Sequence, residues 1–247
     1  MLAVHAPLLK GYGDLTVEQM ADDEDMKVFL ETCRLANYFG EIQNREIIVI
    51  VHSETFMGFI KGIGNTLYNI ESMFAMALEK YPYIKIGIEN VTPCRGVGKG
   101  QSLHLANNFK NDNVEMAMYF REKLNTDRIG TVLDTCHAMI AKKYIDVLYA
   151  AMGDREAEDL RIERYFEWNK DICFLIHLSD MKGSGYGVGR HGIPFTNENR
   201  NMAFALLTFY RRYGYNCPIT LEVEETDFSV CDGYKHTKKI VDDFFRE

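Results

Sequence analysis

Six short apolar runs, each ending in or beside a residue that can bind a metal, recur through the chain at a nearly constant interval. The runs are AVHAPL, EIIVIVH, YIKIGIE, IGTVLD, ICFLIHL and PITLEV. Their metal-competent residues are separated by 47, 37, 45, 43 and 45 positions: His5, His52, Glu89, Asp134, His177 and Glu222. In a parallel barrel of repeated strand–helix units, the carboxyl ends of all strands lie on one face, and active sites form there. The pattern therefore predicts a fold and a metal site together.

Segments with the period of amphipathic helices separate these runs. Apolar residues recur in them at three-to-four spacing over 22–38, 63–79, 112–123, 157–169, 197–212 and 234–245. Strands that alternate with helices are typical of βαβ units and a parallel sheet. Right-handed crossovers curl such a sheet one way. The predicted fold class is therefore α/β, a TIM-like (β/α) barrel.

The number of units is smaller than a complete barrel requires. Such a barrel has eight units, whereas six are visible and only 25 residues follow Glu222. We therefore expect a barrel lacking its first two β/α units: a shortened barrel, a fragment of a longer product, or a chain covered by a partner. No linker divides the sequence, so 1–247 is predicted to be a single domain. Open strand edges invite association, and a homo-oligomer that shields the open side is the corresponding expectation.

Composition narrows the classes of function. The formal net charge of −8 disfavours a broad phosphate-binding surface, because nucleic-acid affinity depends largely on Lys and Arg. No apolar stretch reaches the roughly 18–20 residues of a membrane span, and the first residues do not resemble a signal peptide. The six cysteines form no CxxC pair. We interpret them as reduced thiols and expect a cytoplasmic protein.

The residue types at the strand ends indicate a divalent metal. Imidazole suits Zn²⁺, and carboxylate suits Mn²⁺ or Mg²⁺. A single His there is more often structural, and a single acid is more often a helix cap or an ion-pair partner, but their joint recurrence favours a metal. Four successive units supply the predicted tetrad: Glu89, Asp134, His177 and Glu222. His137, three residues after Asp134, is predicted either to face the same cavity or to cap the following helix.

Several motifs resemble, in order and spacing, those of the xylose isomerase-like TIM-barrel superfamily. They are IGIENVTP, VLDTCHAM, FLIHLSDMKG followed by RHGIPF, and ITLEVEE. AVHAPL and VIVHSET fit as well, and the resemblance begins at what would be the family's third strand. The superfamily contains sugar and sugar-phosphate isomerases and epimerases, and also AP endonucleases of the endonuclease IV type.

In the isomerase and epimerase branch, the resemblance implies one divalent metal, Mn²⁺, Mg²⁺ or Zn²⁺, held by the tetrad. Glu89 and Glu222 would form an acid/base pair around it. The partner would be a small carbohydrate: a sugar, a sugar phosphate or a related hydroxy-carbonyl compound. His137, Arg190 and His191 would contact this substrate.

In the AP endonuclease branch, the resemblance implies three zinc ions and a DNA partner. His5, His52 and Glu89 would hold the first ion, and the tetrad would hold the second. His137 and His191 would hold the third. A cluster of this kind activates water and stabilises both oxygens in phosphodiester cleavage.

Departures from the endonuclease pattern favour the sugar isomerase and epimerase branch. Gly189 stands where that branch has an Asp two residues before His191, so that Asp180 or a water would have to substitute. The N-terminal units that contribute to DNA binding are missing, and no aromatic directly follows His5. His5 and His52 do not distinguish the two branches, since many sugar-type relatives keep both. A catalytically degraded barrel that binds metal or ligand without turnover is the third hypothesis.

Overall fold

Strands and helices alternate along the chain as the sequence predicts. A computed structural model describes residues 2–6, 23–53, 64–91, 112–142, 161–182, 190–225 and 227–247. The strands are β1 Ala3–His5, β2 Ile47–His52, β3 Ile84–Glu89, β4 Ile129–Asp134, β5 Cys173–Leu178, β6 Asp180–Lys182, β7 Arg190–Ile193 and β8 Ile219–Leu221. The helices are α1 Asp23–Gln43, α2 Gly64–Lys80, α3 Asp112–Leu124, α4 Ile162–Asn169, α5 Arg200–Arg212 and α6 Asp232–Arg246. Residues 135–142 are also helical.

Six of the strands form one sheet in the order β1-β2-β3-β4-β5-β8. The pairs β1–β2, β2–β3, β3–β4 and β5–β8 are parallel. All six predicted runs are therefore strands of one sheet, with helices between them. β6 and β7 form a separate antiparallel pair.

The chain divides into two compact units. Unit 1 comprises Met1–Val91, Ala106–Val132 and Ile172–Phe174, and unit 2 comprises Thr92–Leu105, Leu133–Asp171 and Leu175–Glu247. Both are assembled from separate stretches of sequence, and β4 and β5 contribute residues to each. The single domain over 1–247 stays a prediction.

The core of unit 1 explains its local structure. Every apolar residue of β2 is buried, which is typical of a parallel strand covered on both faces. The rings of Phe29, Phe74 and Phe120, from three helices, pack in succession with centroids 5.6 and 4.9 Å apart. Such aromatic contacts bury large apolar area. The strand ends, where polar residues begin, are therefore held by a closely packed scaffold.

Helix α1 extends five residues beyond its predicted end at Tyr38. Glycine is common at the ends of helices, but Gly40 lies inside this one. A Cβ at Gly40 would lie 2.6 Å from the Cβ of Tyr83, so the glycine allows the helix to approach the strand connection closely. The helix ends instead before Asn44, whose φ is 49°.

In unit 2, α4 and α5 pack through aromatic rings. Phe166 contacts Phe209 and Tyr215 with centroids 5.6 and 5.7 Å apart. The Tyr215 hydroxyl donates to the Phe166 carbonyl at 2.6 Å, which satisfies the polar end of a buried ring.

The five cysteines within the described ranges carry free thiols: Cys33, Cys136, Cys173, Cys217 and Cys231. None of the helices in these ranges has the length and apolar character needed to cross a membrane.

Candidate metal centre

Three strand ends of unit 1 bring two imidazoles to one buried carboxylate. His52 and Glu89 end neighbouring strands and pair directly in the sheet register. His52 Nε2 lies 3.3 Å from Glu89 Oε2, and His5 Nε2 lies 3.5 Å from the same oxygen. The Glu89 side chain is only 1% exposed. We call His5, His52 and Glu89 the unit 1 donor cluster.

The spacing of this cluster fits ligands around one ion. Two donor atoms each about 2.1 Å from a metal lie about 3.0–3.4 Å apart at tetrahedral or octahedral angles. The separations of 3.3 and 3.5 Å are close to that range. A carboxylate removed from water also needs compensating charge. Two imidazoles and a carboxylate suit zinc.

In unit 2, Asp134 ends β4 and uses its two oxygens differently. Oδ1 accepts a hydrogen bond from the backbone N–H of His137 at 2.7 Å. This is an N-cap of the helical residues 135–142, because the bond reaches the third residue of the helix. Oδ2 lies 3.1 Å from His191 Nε2 and 3.6 Å from His137 Nδ1. The buried carboxylate is thus a helix cap with a second oxygen directed toward two imidazoles.

His177 and Glu222 form the other half of this group. His177 Nδ1 lies 3.0 Å from Glu222 Oε2. Glu222 follows β8, and its N–H donates to the Leu178 carbonyl at 3.2 Å, which keeps it in line with the sheet. The His177 side chain is 4% exposed and that of Glu222 is 34% exposed, so this cluster opens toward solvent at Glu222.

We call Asp134, His177, His191 and Glu222 the unit 2 donor cluster. Ligand atoms of Asp134, His177 and Glu222 all lie within 4.8 Å of one another. His191 Nε2 lies 3.6 Å from Glu222 Oε2. Two carboxylates with imidazoles form a donor set suited to Mn²⁺ as well as Zn²⁺.

The β6–β7 pair carries His191 to this cluster. Gly192 follows it with φ of 71°, a left-handed conformation that favours glycine. A Cβ there would lie 3.1 Å from the backbone N of Glu224. That N–H donates to the Gly192 carbonyl at 2.7 Å. The strand bearing His191 is therefore fixed to the segment after Glu222.

Cys136 is a neighbour of the cluster that sequence reasoning missed. It is fully buried, and its Sγ lies within 4.8 Å of ligand atoms of Asp134 and His191. Burial, and then the Asp134 carboxylate, raise the pKa of its thiol well above the usual value. Its position between Asp134 and His137 was the only sequence signal.

Each unit, described by itself, holds part of the strand-end series. Asp134, His177 and Glu222, three members of the predicted tetrad, come together in unit 2, and Glu89 lies with His5 and His52 in unit 1. The shared tetrad accordingly stays a prediction.

One of the predicted substrate-contact residues, His137, lies beside the unit 2 donor cluster. The His137 ring faces the unit 2 donor cluster, and its centroid lies 4.7 Å from that of His191. The cap of the following helix is Asp134, not the His137 side chain. Arg190 begins β7, but its side chain lies outside the described part of the structure, as do the glycine-rich segments 94–100 and 183–189.

Comparison with known proteins bears on the fold. No protein-family model and no curated protein matches the sequence. Among solved structures, a D-tagatose 3-epimerase-like protein is similar with a TM-score of 0.60 at 20% identity, over 99% of this chain and 76% of that one. An L-ribulose 3-epimerase gives 0.54 at 13% identity, over 95% and 73%. A D-allulose 3-epimerase from Methylomonas sp. gives 0.50 at 12% identity, over 94% and 74%.

At these identities the likeness is one of fold. It confirms the α/β architecture predicted from the strand–helix repeat. The chain shares the α/β fold of these solved structures.

Proposed function

We propose that this protein is a divalent-metal-dependent epimerase or isomerase acting on a sugar or a related hydroxy-carbonyl compound. The observation that carries the proposal is the unit 2 donor cluster. In it, buried Asp134 and His177 meet Glu222, with 3.0 Å between His177 Nδ1 and Glu222 Oε2. Two of the similar solved structures are named as an L-ribulose and a D-allulose 3-epimerase, and a third as a D-tagatose 3-epimerase-like protein, which supports this class of substrate.

The proposed metal ligands are the tetrad: Glu89, Asp134, His177 and Glu222. A bound divalent ion supplies Lewis acidity, which polarises a carbonyl and eases proton loss from the neighbouring carbon. In a 2-ketose, the carbon that inverts in 3-epimerisation is such a neighbour.

Glu89 and Glu222 are the proposed acid/base pair. One carboxylate removes the proton from one face of the carbon, and the other carboxylic acid returns a proton to the opposite face. No net proton is consumed, since the two residues exchange protonation states over one turnover. The side chain of Glu89 is 1% exposed and that of Glu222 is 34% exposed, so Glu222 is the partner that can exchange its proton with water.

His137, Arg190 and His191 are the proposed substrate contacts. The His137 and His191 rings lie side by side next to Asp134. Imidazole nitrogens there can bind hydroxyl oxygens of a sugar. Arg190 precedes His191 on β7 and provides a guanidinium suited to a hydroxyl or a phosphate.

Proton exchange at carbon tests this function directly. The protein is incubated with MnCl₂ in D₂O with D-tagatose, L-ribulose or D-allulose, and NMR follows loss of the proton at carbon 3 and formation of the epimer. Glu89→Gln and Glu222→Gln should each lower the rate by about 10²–10⁴-fold, the usual contribution of a positioned acid or base. Glu79→Gln, an exposed change on α2, should keep the wild-type rate.

Two results would reject the proposal. In the first, metal-loaded wild type exchanges no proton of any ketose or aldose offered. In the second, both glutamine variants retain the wild-type rate. Metal binding with no turnover on a wider panel, including sugar phosphates, would instead favour the degraded barrel.

The unit 1 donor cluster keeps a second function open, that of a zinc-dependent AP endonuclease. His5 and His52 beside Glu89 form a second set of nitrogen and oxygen donors, which has Glu89 in common with the proposed tetrad. A second ion there suits phosphodiester cleavage. Asp180, the expected substitute ligand for a third ion, accepts hydrogen bonds from Met181 N and Asn199 Nδ2 at 2.8 and 2.6 Å, which weighs against that ion. Cleavage of abasic-site duplex DNA by zinc-loaded protein would support this alternative.

A further inference from the structure

A buried hydroxyl follows a candidate metal ligand at a strand end in each unit and bonds to the next strand that carries a candidate ligand. In unit 1, Ser53 directly follows His52 and is 1% exposed. Its Oγ donates to the Glu89 carbonyl at 2.8 Å, and its backbone N–H donates to the same oxygen at 2.9 Å. The main chain of Glu89 is therefore held by two bonds from the residue after His52.

Unit 2 repeats this arrangement with a threonine. Thr135 directly follows Asp134 and is fully buried. Its Oγ1 lies 3.1 Å from the His177 carbonyl oxygen and 3.3 Å from that of Ser179. The hydroxyl carries a single proton, so it donates to the two carbonyls as a shared bond or to one at a time.

The end of β4 explains why a side chain is needed here. Thr135 is the first residue of the helical segment 135–142, so its backbone turns away from the sheet. A helical backbone cannot continue the ladder of main-chain hydrogen bonds to the next strand. The Thr135 hydroxyl takes over that role at the level where Asp134 and His177 present their side chains.

We propose that Thr135, and Ser53 in the same way, are positioning residues that fix the separation of ligand-bearing strand ends. This inference rests on the proposed function only in assuming that a divalent metal binds at these ends. Neither hydroxyl touches the metal or the substrate. Each acts through the main chain of a ligand, His177 or Glu89, and outer contacts of that kind change metal affinity by about 10–100-fold.

Three substitutions in β4 and directly after it separate a positioning role from general stability. Thr135→Val keeps the shape and removes the hydroxyl, and Thr135→Ser keeps the hydroxyl. Thr131→Val is the matched control. Thr131 lies on β4, the strand that Thr135 follows, and is also fully buried, but its hydroxyl makes no hydrogen bond within the part of the chain described.

The probe is CoCl₂, added to metal-free protein and followed by its visible absorption, which reports both affinity and coordination geometry. Thr135→Val should bind Co²⁺ about 10–100-fold more weakly than wild type, with altered bands. Thr135→Ser should restore wild-type bands and affinity within about threefold, and Thr131→Val should match wild type. Thermal unfolding in chelator shows whether each variant is folded. If Thr135→Val is not, Ser53→Ala takes its place, with the same expected loss of affinity and altered bands.

The outcomes distinguish this inference from the proposed function. Wild-type affinity and spectrum in folded Thr135→Val, or in folded Ser53→Ala where it is substituted, would overturn the positioning role. So would Thr135→Ser binding as weakly as Thr135→Val. Wild type that binds Co²⁺ but turns over no sugar would reject the proposed function and leave the positioning role standing on the spectra. Wild type that binds no divalent ion would overturn both.

Discussion

Asp134 combines a structural and a chemical role that substitution can separate. Its Oδ1 caps the helical residues 135–142 through the N–H of His137 at 2.7 Å, and its Oδ2 lies 3.1 Å from His191. Asparagine is as good a cap as aspartate, whereas alanine at such a position costs about 1 kcal/mol. In chelator, Asp134→Ala should therefore have a free energy of unfolding about 1 kcal/mol below that of Asp134→Asn.

Added metal should raise the free energy of unfolding of wild type but not that of either variant. A ligand present at 100 times its Kd stabilises the folded state by about 2.7 kcal/mol. Wild type should gain that amount on adding MnCl₂ at this excess, and both variants should gain almost none, because each lacks the Asp134 carboxylate. Urea unfolding followed by far-UV circular dichroism, with chelator and then with metal, measures both quantities.

The cap and the ligand role of Asp134 are tested by different outcomes. Equal metal-free stability of Asp134→Asn and Asp134→Ala would show that the cap contributes nothing. Full metal stabilisation of Asp134→Asn would show that the carboxylate is not a ligand.

Two further predictions concern a strained glycine and buried thiols. Gly192→Ala and Gly214→Ala both place alanine at φ of 71° and should each lose about 1 kcal/mol in urea unfolding. Only Gly192 is crowded, by Glu224 at 3.1 Å, so only its variant should also bind metal more weakly, and equal metal affinity of the two would contradict the fixed position of β7. Burial raises the pKa of the Cys33 thiol well above its usual value. Iodoacetamide should therefore modify half-buried Cys231 in the folded protein, and Cys33 only after unfolding, as measured by mass spectrometry. Rapid labelling of Cys33 in the folded protein would be inconsistent with this core.

The strands were predictable because a strand that is buried on both faces is apolar at nearly every position. A run such as IIVIVH in β2 is apolar at every position until His52, since nothing polar fits between two covering layers. The polar residue that ends the run then marks the strand's carboxyl end. The order of candidate ligands followed from this alone, as did the parallel sheet.

Features that depend on distant contacts were not predictable. Gly40 resembles a helix stop until Tyr83 is seen against it. Strand β7 follows a glycine-rich stretch and exists through its pairing with β6, which local sequence does not reveal. The homo-oligomer and the cytoplasmic location stay predictions.

The most direct test of the account is the number and identity of metal ions bound per chain. Purified protein, dialysed with a mixture of Mn²⁺, Mg²⁺ and Zn²⁺, is analysed by elemental mass spectrometry beside a His5→Ala/His52→Ala double variant. We expect one ion per chain in both proteins, and its loss in Asp134→Asn. Two or three zinc ions in wild type, reduced in the double variant, would contradict it and favour the endonuclease alternative.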